Sequence, residues 1–243
     1  GPLLWTYLYK ILKKTGPHKY SYRFVCCPEN IGAAAFMSQN RKTLKNIEAG
    51  YIINCVGNGK IVTYKKSRDG NTLADQAALN VINFLKYKKK IVDFFPSGSD
   101  ERQFCSPGLN LPIGLVMRKM FGEFKEYHTS LDNPDFINFK TILESLDIYL
   151  QIVLTLENNF YPIGRVQYGT PQLSRVKNFN LYPNMMNFQA KKRSDKNFLT
   201  LQILNLASGK KSLLKICNEK NYKLIDYLDV YEQLIRTKLI KIK

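Results

Sequence analysis

The chain is poor in the residues that build metal and nucleophilic centres: its 243 residues include two histidines, His18 and His128, and five cysteines. Cys26, Cys27, Cys55, Cys105 and Cys217 form no Cys-x-x-Cys pair and no even framework. They can make no zinc ribbon or knuckle, and their usage fits a reducing, cytoplasmic compartment. There is no apolar run of about eighteen residues, which argues against a membrane span. The opening Gly1-Pro2-Leu3-Leu4-Trp5 has neither the basic start nor the cleavage site of a signal peptide. Without an initiating methionine and with a helical pattern from the outset, it reads as an internal start, either a protease scar or a fragment of something longer.

Hydrophobic residues make up 44% of the chain and aromatics 12%, which excludes general disorder. Thirty-seven Lys and Arg face nineteen Asp and Glu, a net charge of +18 that raises nucleic acid as a partner. The lysines are scattered among many Asn, Ile, Tyr and Phe, so the charge also fits the coding bias of an AT-rich genome.

Periodicity predicts a helix over 3–14, a strand over 20–27 and a helix over 33–40. A strand over 50–57 is expected to pair with 61–65 as a hairpin across Gly57-Asn58-Gly59. A helix over 71–88, a strand over 91–95, a core strand over 111–117 and a long helix from Pro134 to about 158, capped by Asp132 or Asn133, complete the pattern. Strands alternating with helices predict an α/β domain with a mainly parallel sheet flanked by helices. This domain is expected over 1–165, a linker over 166–190, and a small winged helix-turn-helix domain over 191–243. The last is read from helices over 198–206, 213–217 and 224–236 followed by a strand over 239–242.

Three polar clusters follow predicted strands: Pro28-Glu29-Asn30-Ile31-Gly32, Ser97-Gly98-Ser99-Asp100-Glu101-Arg102-Gln103-Phe104 and Glu126-Tyr127-His128-Thr129-Ser130-Leu131-Asp132-Asn133. Open α/β proteins place their sites at such strand ends. Each cluster also has a structural reading: Glu29 as a carboxylate on a helix start, Asp100-Glu101-Arg102 as a solvated loop, His128 as a surface histidine. Their convergence favours a site. Tyr64, Ser67, Arg68 and Arg102 are candidates for an anionic group of a substrate, or solubilising residues.

Together with a Gly-x-x-Leu-Pro-Ile strand over 108–113, these motifs resemble the zinc aminopeptidase (zinc exopeptidase) superfamily, with its Ser-Asp-x-x-x-Phe, Gly-Ile-Pro strand and Tyr-His-Thr-x-x-Asp. More closely they resemble a bacterial aminopeptidase-like family with a C-terminal winged helix, often associated with surface-polysaccharide gene clusters. The resemblance implies a zinc-exopeptidase-like fold and hydrolysis of an amide bond by metal-bound water. His128 is then a zinc ligand, Glu29 the general base and Asp132 a partner that orients the histidine. The family's upstream His and bridging Asp are absent, and His18 lies in the wrong place. Where two-metal members carry a second acid and an Asp, this chain has Asn30 and Cys55. Cys55 is a possible ligand or a core cysteine. The implied zinc site is therefore mononuclear and incomplete, with weak or no zinc binding expected.

The implied substrate is a peptide or an amide-bearing small molecule, with a homo-oligomer possible. The alternative is a non-catalytic adaptor, or a DNA-binding protein acting through the winged helix. From Arg175 onward fifteen Lys and Arg stand against five Asp and Glu. The candidate recognition helix, however, carries Asp226, Asp229 and Glu232 on one face, which repels phosphates and favours a protein contact. Titrating duplex DNA at rising salt checks this: undetectable binding at low salt is expected, and tight, steeply salt-dependent binding would contradict it.

Overall fold

The structure, a computed structural model, describes residues 1–179 and 195–243. Leu4, Leu8 and Leu12 recur at four-residue spacing in α1 (Pro2–Thr15) and form its buried stripe. Next come α2 (Ile31–Leu44), β1 (Gly50–Ile53), β2 (Ile61–Lys65), α3 (Leu73–Ile82), β3 (Lys88–Val92), α4 (Glu101–Phe104), β4 (Ile113–Met117) and α5 (Phe139–Glu157). Contacts divide the chain into two units, Gly1–Glu157 and Asn158–Lys243.

The first unit is a mixed α/β domain built on one sheet in the order β1-β4-β2-β3. β1 runs parallel to β4 and β2 parallel to β3, while β2 and β4 are antiparallel. All five residues of β4 are buried, as a central strand covered on both faces requires. β3 lies at the edge and opens with the exposed Lys88, Lys89 and Lys90, charges that discourage pairing with another chain. Consecutive residues of β2 face opposite ways. Tyr64 donates to Asp75 of α3 at 2.8 Å, and Lys65 reaches Glu101 of α4 at 2.8 Å. Gly114 in β4 leaves room for the Tyr64 ring, since a Cβ there would lie 2.4 Å from the phenol oxygen. On the α2 and α4 side, Ala33, Leu44, Phe104, Leu111 and Ile113 form one apolar cluster.

Several expectations change. The 50–57 and 61–65 strands do not form a hairpin, because the fully apolar β4 inserts between them. The segment 20–27 forms neither helix nor strand and joins no ladder among the described residues. Its polar groups are met by the Glu157 carboxylate, which accepts from the N–H groups of Lys19 and Tyr20 and from the Tyr22 hydroxyl, and Phe24 packs edge-on against Trp5 and Tyr9. Aromatic alternation imitates a strand while serving as a strap. The 71–88 helix ends at Ile82, and β3 starts earlier than the predicted 91–95 strand. The helix from Pro134 is interrupted: Asn133 caps a single 3-10 turn, Ile137 is extended, and α5 begins at Phe139.

The second unit contains β5 (Pro162–Gly164), α6 (Asp195–Leu206), α7 (Leu213–Glu219), a 3-10 turn at Leu224–Tyr227, α8 (Leu228–Arg236) and β6 (Ile240–Ile242). β5 and β6 pair antiparallel, so the winged helix takes its first strand from before residue 165. Leu199, Ile203, Leu213, Leu214, Ile216, Val230 and Leu234 are buried in it. Ser212 caps α7 by accepting from the Lys215 N–H. The 180–190 part of the predicted linker, and residues 191–194 of the predicted module, lie outside the described residues.

Asp75 sets the strongest pH expectation. It accepts from the Ser67 N–H, Ser67 hydroxyl, Thr72 N–H and Tyr64 hydroxyl. Burial alone would raise its carboxyl, but these donors outweigh it and hold the pKa below the ordinary value. A carboxylate depressed on folding contributes stability that is present above its unfolded pKa and lost as pH falls through the lower folded value. Asp75→Asn should therefore lower stability by about 3 kcal/mol near neutrality and reduce the loss seen on acidification below about pH 4. Thermal melts of both proteins between neutral and acid pH check the two effects.

Candidate active site

Asn54, just past β1, donates through Nδ2 to Ser99 Oγ at 3.1 Å, and Ser99 Oγ donates to Glu29 Oε1 at 2.6 Å. The serine hydroxyl thus accepts once and donates once, which orients it. Glu29 is exposed, and among the described residues its second carboxylate oxygen receives no hydrogen bond.

Asn30 follows in a conformation rare for a side-chain-bearing residue, φ 61° and ψ −62°. The Ile31 N–H donates to the Glu29 carbonyl at 2.7 Å, closing a three-residue γ-turn of the strained, positive-φ kind. Neighbouring residues of one segment hold that turn. Asp100 Oδ1 accepts the Asn30 N–H at 2.7 Å, and Arg102 Nε and Gln103 Nε2 both donate to Asn30 Oδ1 at 3.1 Å. Burial, reinforced by the Glu29 charge, raises the Asp100 carboxyl against the lowering effects of the Asn30 N–H and Arg102.

His128 sits at φ 60° on the segment after β4. Its ring stacks on Tyr127 with centroids 4.0 Å apart, and Tyr127 packs in turn on Phe121 and Phe124. This aromatic group meets the Ser97–Asp100 turn at Gly98, where φ is +120° and a Cβ would lie 2.5 Å from Phe121. Burial raises the Tyr127 phenol, with the charges of Cys55, Glu29 and Glu101 adding, so it remains a hydrogen-bond donor. Burial likewise pushes the Cys55 thiol up to about 11, and Asp132 and Glu29 add to that rise. Cys55 is held by Asn54, whose Oδ1 accepts from the Cys55 N–H at 2.7 Å and from Sγ at 3.3 Å.

Of the residues singled out from the sequence, Glu29 and Asp100 are brought together, and the electrostatic influence of Glu29 and Asp132 reaches Cys55. Arg102 belongs to the same cluster through Asn30. Tyr64 and Arg68 lie elsewhere: Tyr64 is fully buried on Asp75, and Arg68 donates to the Cys105 carbonyl at 3.4 Å. Sheet alternation turns Tyr64 to the face opposite Lys65, so its buried hydroxyl is not available to an anionic substrate group, whereas Arg68 is exposed. Ser67, whose hydroxyl is spent on Asp75, is lost to that role too. Glu101, read as a loop residue, is fully buried against Lys65. Among the described residues no hydrogen bond joins Asp132 to His128. Sequence reasoning missed Asn54, Ser99 as the donor to Glu29, and Tyr127. The signal for Asn30 was present: an asparagine between an extended segment and a helix tolerates positive φ.

The zinc implied by the resemblance needs about three protein ligands. Among the described residues no three His, Cys, Asp or Glu side chains gather as such a set. Asn30 Oδ1 already accepts two hydrogen bonds, and His128 is exposed on the face of Tyr127. The donors among the described residues do not complete a zinc centre.

Fold and site together define an α/β domain with a carboxylate held at a strained turn, followed by a winged helix. Residues 1–159 match the family described as "Domain of unknown function (DUF4910)", and the chain belongs to it. Residues 162–242 match a winged helix-turn-helix family. A Clostridium acetobutylicum protein, provisionally named a polysaccharide biosynthesis protein with an aminopeptidase-like domain, is 35% identical over 242 residues, covering 100% of this chain and 54% of its own length. A crystal structure from Clostridium acetobutylicum, provisionally described as a peptidase, matches with a TM-score of 0.87 and 34% identity, covering 99% of this chain and 52% of that one. The chain spans about half the length of these relatives.

The γ-turn makes a direct prediction. Asn30→Gly and Asn30→Val both lose the acceptor for Arg102 and Gln103, so their difference reports the backbone: the valine variant should be less stable than the glycine variant by about 2–3 kcal/mol, since glycine adopts positive φ freely. Chemical denaturation of the two variants distinguishes them.

Proposed function

We propose that this chain carries the general-base half of an aminopeptidase-like hydrolase that cleaves an amide bond in a peptide or an amide-bearing small molecule. The observation that carries this reading is the state of Glu29: one oxygen fixed by Ser99, the other open, on a turn held by three hydrogen bonds to Asn30. A carboxylate fixed in this way can take a proton from an attacking water without first reorienting. Tyr127, kept protonated and within electrostatic reach of Glu29, is proposed as the donor to an attacked carbonyl. The provisional names of the relatives, a peptidase and an aminopeptidase-like polysaccharide biosynthesis protein, agree with that class. His128 is proposed as a ligand that acts only in a centre completed by donors other than the described residues of this chain. When bound, zinc would supply an activated water.

The winged helix is proposed as a protein-contact module. Asp226, Asp229 and Glu232 are exposed along the 3-10 turn and α8, and Lys223 and Lys196 pair with the first two. A face of this charge is unsuited to a phosphate backbone.

Aminoacyl anilides, short peptides and N-acylated amino sugars, assayed with and without added zinc, test the reading. Hydrolysis that falls about 10²–10⁴-fold in Glu29→Gln is expected. Turnover equal in the wild type and the variant would remove Glu29 from the chemistry, and no turnover on any of these amides would favour a non-catalytic adaptor.

A further inference from the structure

Lys65 ends β2 with its side chain wholly buried, an unusual place for an ammonium. Its Nζ donates to Glu101 Oε1 at 2.8 Å and to the Ser97 carbonyl at 2.6 Å, and it lies 3.8 Å from the centre of the Phe95 ring, with Phe94 at 5.3 Å. Charge, carbonyl and aromatic face together replace the water the ammonium has lost.

The two residues that Lys65 grips, Ser97 and Glu101, bracket Ser99 and Asp100. Those middle residues hold Glu29 and the Asn30 N–H. We propose that Lys65 is a positioning residue: by tying both ends of the Ser97–Glu101 turn to the sheet, it fixes Ser99 and Asp100 where they orient the Glu29 base. This assignment rests on Glu29 being the base of the proposed hydrolase. Stability alone gives no reason for such a pair, since apolar residues of similar volume commonly replace a buried ion pair at no loss. An apolar side chain at residue 65 would fill the space but release both ends of the turn. The neighbouring geometry fits a fixed turn: Gly98 is wedged between Phe121 and Glu101 with no room for a Cβ.

The double variant Lys65→Met/Glu101→Leu, in the full 15N-labelled chain, separates positioning from stability. The Asn30 amide, bonded to the Asp100 carboxylate, is the reporter. The Thr72 amide, bonded to Asp75 at 2.8 Å, is the internal control. The variant is expected to melt cooperatively while Asn30 exchanges at least tenfold faster relative to Thr72 and loses its carboxylate-shifted proton resonance. An Asn30 amide unchanged in a folded variant overturns the proposal. If the double variant does not fold, Glu101→Gln is read in the same way: a severalfold faster Asn30 exchange supports the proposal and none overturns it. A variant with a loosened Asn30 but undiminished amide hydrolysis would contradict the role of Glu29 and leave the anchoring role of Lys65 intact.

Discussion

A lysine ammonium buried in the face of a sheet forces its surroundings to answer it. Around Lys65 the answer is a carboxylate, a backbone carbonyl and an aromatic ring, and all three come from 94–101, the segment that leads into α4. The segment is therefore tethered to β2 over a short distance. Ser99, Asp100, Arg102 and Gln103 then each direct a side chain at Glu29 or Asn30. The order of dependence runs from the buried pair, to the turn, to the strained Asn30, to the open carboxylate.

The clamp also accounts for what the site does not contain. The residue after Glu29 is Asn30, whose carbonyl oxygen is already occupied by Arg102 and Gln103. Cys55 is a half-buried, weakly acidic thiol hydrogen-bonded to Asn54. The Glu29 region is thus organised by hydrogen bonds among its own residues.

Much of the fold was legible because it follows from apolar patterning. The β4 run, the α1 stripe and the winged-helix outline each correspond to an element. Strand order was not legible, since whether 50–57 pairs with 61–65 depends on a third strand fifty residues away. The strap over 20–27 looked like a strand because its aromatics alternate, yet its partner is the Glu157 carboxylate. In the site, the convergence of three motifs was readable and the roles within them were not. Asp100 and Arg102 read as either supporting or substrate-contacting residues, and the structure has both brace Asn30. Tyr64 reads as available because only the register of the sheet shows that it faces α3, and nothing in the sequence marks Lys65 as buried before the position of α4 is known.

The central claim is that the Glu29–Asn30 turn is held in place by the Asp100 carboxylate. Scalar coupling across that hydrogen bond, between the Asn30 amide nitrogen and the Asp100 side-chain carboxyl carbon, measures it most directly in solution. A resolvable coupling, with an Asn30 amide protected from exchange, is the predicted result. No coupling, together with an amide exchanging as fast as an unstructured one, would contradict the account.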